Sequence, residues 1–165
     1  MNRLIPLALV LALVAGGWWW AHGDGPPPAE ATVDRVVDGD TVIVRSGSRT
    51  LDVRLLGIDT PETVDPNRPV GCYGPEASAY TKHLLTGRRV RLVYDRQLHD
   101  VYGRWLAYIY LERQGLPDLF VNARLITAGY ARTLSIPPNT SHAAELAALE
   151  RTAALAGRGL WSACS

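Results

Sequence analysis

The chain has 165 residues, of which 47% are hydrophobic and 20% are charged, as is typical of a globular protein. This length allows one domain with a sizeable core and excludes two ordinary domains. The formal net charge is only +1, so overall charge gives no strong signal for nucleic-acid binding.

The first predicted element is an apolar segment over residues 4–21, preceded by the single charge of Arg3. A charged start followed by an apolar run is typical of an export signal. The run is also close to the roughly 20 residues that a membrane helix needs, and three consecutive tryptophans close it as an interfacial belt would. We therefore expect residues 1–21 to be either a cleaved signal peptide or an N-terminal membrane anchor, and the protein to be extracytoplasmic.

A stretch rich in glycine and proline, residues 22–31, predicts a short linker, so the folded domain is expected over residues 32–165. Its β-rich runs at 32–37, 41–45 and 49–58 predict a three-strand meander. A loop with three prolines follows at 59–71. The remaining elements predicted by the pattern are a helix at 75–85, strands at 89–94 and 104–111, and helices at 119–128 and 142–156. This order predicts an α+β fold, namely a five-stranded OB-type β-barrel with three α-helices.

The chain contains two cysteines, Cys72 and Cys164. In an exported protein such a pair predicts a disulfide, and two free thiols are the alternative. The bridge would tie the end of the chain to the segment before the first predicted helix.

Two short stretches place carboxylates and a guanidinium where predicted strands meet loops. Asp38 and Asp40 flank a glycine and offer hard oxygen donors for Ca²⁺ or Mg²⁺, although the same pattern suits a hairpin turn. Arg54, Asp59 and Glu62 lie within nine residues at the end of the third predicted strand. A surface cluster of ion pairs is the alternative interpretation of that stretch.

A third stretch adds Tyr102 and the guanidinium of Arg104 at the start of the last predicted strand. A solvated arginine in a hairpin is the alternative. Phosphodiester hydrolysis needs cations aimed at the phosphate oxygens and a group that positions or deprotonates water. Together the three stretches contain these parts.

Four blocks of the chain resemble successive blocks of the staphylococcal nuclease family, in that family's order and spacing. They are residues 38–41, 54–63, 73–81 and 102–110. With weaker matches at 138–139 and 160–162, the resemblance covers about residues 33–162. It implies a Ca²⁺-dependent endonuclease that hydrolyses phosphodiester bonds of DNA and RNA to 5′-hydroxyl and 3′-phosphate ends.

The resemblance also implies a metal site. Asp40 and Asp59 would give side-chain oxygens to Ca²⁺, and Thr60 would give its backbone carbonyl. Asp38 would stand behind these ligands without binding the ion directly. Oxygen ligands of this kind argue against zinc.

The catalytic roles follow from the resemblance in the same way. Arg54 and Arg104 would stabilise the charge that develops on the phosphate, from opposite sides. Glu62 would act as general base or orient the attacking water, and Tyr102 would hydrogen-bond a terminal phosphate. DNA and RNA are the expected partners, residues 4–21 would provide any membrane association, and we expect a monomer.

The chain departs from the family pattern around the cleft. Val101 stands where well-known members carry a lysine, and Leu134 and Ile136 stand where they carry two tyrosines that cover the nucleotide. We therefore expect weaker binding of small nucleotides, because base stacking on an aromatic ring contributes about 1–3 kcal/mol per base. Trp105 replaces a glycine, and we expect it to pack.

Two further interpretations remain open. One is a non-catalytic OB-type module that binds nucleic acid or protein, and the other is a membrane-tethered structural protein with an inactive domain. The catalytic set favours an enzyme because it is intact. Its members are Asp40, Arg54, Asp59, Glu62 and Arg104.

Overall fold

The computed structural model describes residues 26–63, 65–67 and 69–164. The expected signal peptide or anchor, residues 1–21, lies outside the described residues, as does the first part of the expected linker. In the part of the chain that is described, no helix is long and apolar enough to cross a membrane.

The described residues form eight strands and four helices, joined by turns and loops. The strands are β1 (Glu30–Asp38), β2 (Thr41–Ser46), β3 (Arg49–Leu55), β4 (Gly57–Asp59), β5 (Arg89–His99), β6 (Trp105–Leu111), β7 (Leu119–Phe120) and β8 (Arg132–Leu134). The helices are α1 (Gly74–Leu85), α2 (Val121–Thr127), α3 (Ala143–Leu155) and α4 (Leu160–Ala163).

Five of these strands close into a barrel. Their order in the sheet is β3-β2-β1-β5-β6, and a parallel pairing of β3 with β6, in register at Val53 and Trp105, closes the ring. Side chains alternate across a strand, so every second residue enters the interior. Val42 and Val44 of β2 are fully buried in this way. The predicted α+β fold with a five-stranded OB-type barrel is confirmed.

The third predicted strand, residues 49–58, is in fact two strands. Leu56 separates them, since its N–H donates to the carbonyl of Ala107 at 3.0 Å and its own carbonyl accepts from Asn122 Nδ2 at 2.7 Å. Gly57 then takes a φ of +74°, which favours glycine, and the chain turns out of the barrel. As a result β4 pairs with β8 instead of continuing in the barrel sheet.

Other boundaries shift where a distant segment supplies a partner. β1 begins at Glu30 rather than at residue 32, because Glu30 and Ala31 pair with β5. β5 continues to His99, past the predicted end at residue 94. Asn139 supports this extension, since its side chain accepts from the N–H of Gln97 at 2.8 Å and donates to the Gln97 carbonyl at 2.9 Å.

The C-terminal half contains three short elements that the pattern does not predict. Residues 119–120, expected to begin a helix, form β7 against the end of β6. β8 and the one-turn helix α4 are the other two. A disulfide joins Cys72, in the segment before α1, to Cys164, just after α4.

We expect the side chain of Asn122 to be essential for stability. It is fully buried and bonds two backbone groups, the carbonyl of Leu56 and the N–H of Ile109, the latter at 3.0 Å. Asn122→Leu would leave both groups buried without partners, which should lower the free energy of unfolding by about 3 kcal/mol. Denaturant unfolding measures this loss. The exposed Asn67→Leu serves as control, and equal stability of the two variants would contradict the assignment.

Candidate active site

The predicted site residues collect at one end of the barrel. β1 ends at Asp38, β2 begins at Thr41 and β3 ends at Leu55, and the parallel pairing of Val53 with Trp105 brings the start of β6 beside the end of β3. A cleft of about 350 Å³ opens there. Its lining includes Arg54, Tyr102, Arg104, Leu134, Ile136 and Asn139.

Asp40 is held rigidly at the base of this site. The residue is only 6% exposed, and its Oδ2 accepts from the N–H of Thr60 at 2.7 Å and from the Thr60 hydroxyl at 2.9 Å. Oδ1 accepts more weakly from the Thr41 hydroxyl at 3.2 Å. The turn between β1 and β2 is thereby attached to the loop that follows β4.

Arg54 joins a carboxylate of the turn between β1 and β2 to a carboxylate at the end of β4. Its Nη1 lies 2.8 Å from Asp40 Oδ2, and its Nη2 lies 3.0 Å from Asp59 Oδ1. The Arg54 side chain is 13% exposed, whereas that of Asp59 is 57% exposed. A guanidinium has five N–H donors, so these two ion pairs do not exhaust its capacity to bind an anion in the cleft.

The donors around Arg54 fit a hard cation. Asp40 and Asp59 bring two carboxylates to one guanidinium, and Thr60, which offers a backbone carbonyl, follows Asp59 in the chain and donates its N–H to Asp40. Across the described residues no group of three or more His, Cys, Asp or Glu is arranged to hold a metal. The ligand set that the resemblance implies, two carboxylates and a carbonyl with water completing the shell, is one that Ca²⁺ accepts and structural zinc does not.

Asp38 connects the end of β1 to the loop that carries Glu62. Its Oδ1 accepts from the N–H of Gly39 and from the Thr63 hydroxyl, both at 2.7 Å. Burial raises the pKa of Asp38; hydrogen bonds from Thr63 and Gly39 oppose that effect, and the charges of Asp40 and Glu62 add to it. Thr63 was not singled out from the sequence, although it closes the second matching block.

Glu62 is oriented by the backbone of its own loop. Its Oε1 accepts from the N–H of Thr63 at 2.9 Å and from the N–H of Asp65 at 3.1 Å. The loop is closed by a hydrogen bond from the N–H of Gly71 to the Glu62 carbonyl at 2.8 Å. Glu62 thus stands between Asp38 and the disulfide-bonded segment that begins at Gly71.

Arg104 lines the same cleft as Arg54, and Asp100 fixes its side chain. Arg104 Nε donates to Asp100 Oδ2 at 2.7 Å, and the N–H groups of Tyr102 and Arg104 donate to Asp100 Oδ1 at 2.9 and 3.0 Å. Burial acts to raise the pKa of Asp100, but the hydrogen bonds and charge of Arg104 outweigh it and lower the pKa. Asp100 is therefore a positioning residue. It directly precedes Val101 and Tyr102 in the sequence, but the sequence alone did not predict its role.

Tyr102 and three residues that depart from the family pattern line the same cleft as this arginine. Tyr102 is 81% exposed, and the Arg104 guanidinium carbon lies 5.3 Å from the centroid of its ring. Val101, Leu134 and Ile136 are also exposed and line the cleft. The cleft therefore combines two arginines with an aliphatic wall. Trp105, by contrast, is buried.

Comparison with known proteins gives a consistent result. The family model described as staphylococcal nuclease homologue matches residues 52–163. The chain is 44% identical over 144 residues to a thermonuclease of Staphylococcus intermedius, covering 82% of this chain and 83% of that protein. It is 42% identical over 130 residues to a thermonuclease of Staphylococcus hyicus, covering 79% and 74%. It is also 36% identical over 134 residues to the SPbeta prophage-derived endonuclease YokF of Bacillus subtilis, covering 81% and 44%.

Proposed function

Because the chain belongs to the staphylococcal nuclease family and is a nuclease hydrolase, we propose that it acts as a Ca²⁺-dependent endonuclease on DNA and RNA. We propose further that its products carry 5′-hydroxyl and 3′-phosphate ends. The observation that carries the proposal is the position of Arg54, which holds Asp40 and Asp59 at the cleft that Arg104 also lines.

In this proposal Asp40, Asp59 and the carbonyl of Thr60 hold the cation. When bound, Ca²⁺ supplies positive charge that offsets the negative charge of the phosphodiester and of its transition state. Thr60 has two roles in this site: its carbonyl binds the cation, and its N–H and hydroxyl hold the carboxylate of Asp40 in place.

The protein's own side chains carry out the remaining steps. Arg54 and Arg104 approach the phosphate from different walls of the cleft and bind the oxygens on which charge develops. Glu62 orients a water molecule and takes its proton as that water attacks phosphorus. The bond from phosphorus to the 5′ oxygen then breaks, the 5′ oxygen takes a proton from solvent to become the hydroxyl, and the phosphate stays on the 3′ side. Tyr102, exposed beside Arg104, hydrogen-bonds a terminal phosphate.

The aliphatic wall supports a preference for polymers over small nucleotides. Leu134 and Ile136 offer no aromatic face on which a base stacks, and Val101 offers no charge. Affinity must then come from phosphate contacts, which are more numerous on a longer strand. From the N-terminal sequence we also propose that the protein is exported and works outside the cytoplasm.

The test is the cleavage of denatured DNA by the purified domain, residues 26–165. We expect activity in Ca²⁺, none in chelator, and a loss of about 10³-fold or more in kcat for Glu62→Gln, because this change removes the proposed base without changing its size. Polynucleotide kinase should label the products directly, since it acts on free 5′-hydroxyl groups. Full cleavage in chelator would refute the proposed Ca²⁺ dependence. Products that are labelled only after phosphatase treatment would refute the proposed 5′-hydroxyl ends.

A further inference from the structure

Arg132 lies on the same face of the protein as the proposed metal ligand Asp59. In the pairing of β4 with β8, Arg132 stands directly opposite Asp59, and Leu134 stands opposite Gly57. Residues directly opposite in an antiparallel pair project to the same side of the sheet. Thr133 projects to the other side, where its hydroxyl donates to the carboxylate of Glu150 of α3.

The guanidinium of Arg132 is ordered by stacking rather than by an ion pair. Its central carbon lies 4.3 Å from the centroid of the Trp161 ring. Among the described residues no carboxylate forms a salt bridge with it. Stacking on an indole orients an arginine but leaves the N–H donors in the guanidinium plane available. The side chain is therefore a preoriented and exposed cation.

A second depression, of about 230 Å³, contains this arginine. Asp59, Pro61, Leu160 and the two bridged cysteines form the rest of its lining. Leu134, at the other end of β8, lines the main cleft. From Arg132 to Leu134 the strand covers only about 7 Å. One strand of a polynucleotide lying in the main cleft therefore needs to extend only a short distance beyond it to reach Arg132.

We propose that Arg132 binds a phosphate of the substrate strand outside the scissile linkage, and that the depression beside it is an additional nucleic-acid subsite. The inference rests on the proposed action on nucleic acid. A guanidinium matches a phosphate better than an ammonium does, because it donates two parallel hydrogen bonds. This contact compensates for the charge that is absent at Val101 and for the stacking that is absent at Leu134 and Ile136.

The inference is tested by binding, so that it does not depend on activity. The probe is a fluorescein-labelled single-stranded oligothymidylate of about 16 nucleotides, a length in the range that OB folds occupy. Fluorescence anisotropy in chelator gives Kd without cleavage. For Arg132→Gln we expect Kd to rise about tenfold at low salt, as the loss of one charge-assisted contact predicts. The slope of log Kd against log salt concentration should fall by about 0.7.

Three further variants complete the design. Arg132→Lys keeps the charge and should keep most of the salt slope. Arg132→Met keeps an apolar stem over Trp161 and gives the same comparison if the glutamine variant is unstable. Arg88→Gln removes an exposed arginine from the opposite end of the barrel and should leave Kd unchanged. Hydrolysis of a dinucleotide substrate in Ca²⁺ should be unaffected by Arg132→Gln, since so short a substrate does not reach this subsite.

Unchanged Kd and salt slope in folded Arg132→Gln and Arg132→Met would overturn the inference. An equal loss on the dinucleotide and on the long strand would overturn it as well, because the contact would then not lie outside the scissile linkage. If the wild-type domain bound the oligonucleotide through Arg132 but cleaved nothing in Ca²⁺, the proposed function would fail and the subsite would stand.

Discussion

Arg54→Lys is expected to lower kcat by about 10³-fold while the domain stays folded. A lysine keeps the positive charge but has one ammonium group in place of the planar fork. It cannot contact Asp40, Asp59 and a phosphate oxygen at once, as the two ion pairs of Arg54 and its remaining donors allow. Arginines that stabilise phosphoryl transition states contribute effects of about this size.

The measurement is kcat and KM on single-stranded DNA in Ca²⁺, with thermal unfolding recorded in parallel. Arg45→Lys is the matched control, because Arg45 also forms a 3.0 Å ion pair, with Asp34, but is exposed at the far end of β2. We expect the control to retain wild-type kinetics. A kcat for Arg54→Lys close to that of the control would exclude Arg54 from the proposed transition-state contacts.

The second large effect concerns stability. Removal of the disulfide in a Cys72→Ser, Cys164→Ser double variant is expected to lower the free energy of unfolding by about 4 kcal/mol. The bridge joins residues 92 positions apart, so it restricts a large part of the unfolded chain. In the folded state it also holds the segment next to Gly71, whose N–H binds the Glu62 carbonyl.

Denaturant unfolding of the oxidised domain, the reduced domain and the double variant measures this contribution. The reduced domain and the variant should unfold at similar denaturant concentrations, and reductant should not shift the variant. Because the Glu62 loop is released, kcat should also fall in conditions where the variant remains folded. Equal stability of the oxidised and reduced forms would show that the bridge does not restrict the unfolded chain as expected.

The fold could be predicted where the signal is local. Alternation of buried and exposed residues marks the barrel strands, and Val42 and Val44 show it in the structure. The break at Leu56 was not predicted, because it depends on Asn122, 66 positions away. β7 and β8 have only two and three residues, too few to show a period.

The site, like the fold, could be predicted where its residues lie close together in the sequence and not where they are distant. Asp40, Arg54 and Asp59 stand in contiguous motifs, so the resemblance to a known family is enough to predict roles for them, and the structure brings their side chains together. Thr63 and Arg132 were not predicted, since the residues beside which they lie are distant in sequence. The hydroxyl of Thr63 reaches Asp38, 25 positions away. The position of Arg132 opposite Asp59 exists only once β4 pairs with β8.

The path of the chain ahead of β1 has a practical consequence for attaching the protein to a tag or a support. The strand begins at Glu30, up to roughly 30 Å from Asp38, and the residues ahead of it continue along β5, where the Tyr94 hydroxyl donates to the carbonyl of Pro28 at 2.8 Å. The carbonyl of Pro26 accepts from Arg49 Nη1 at 3.1 Å, and the Arg49 guanidinium carbon lies 5.6 Å from the centroid of the Trp105 ring. An affinity tag, a fluorophore or a solid support attached ahead of Pro26 would therefore stand near the residue that follows Arg104. A C-terminal fusion would instead emerge beside Cys164, which is bonded to the segment that closes the Glu62 loop. Immobilised enzyme should therefore be attached through a long flexible spacer, so that the cleft stays accessible to long DNA.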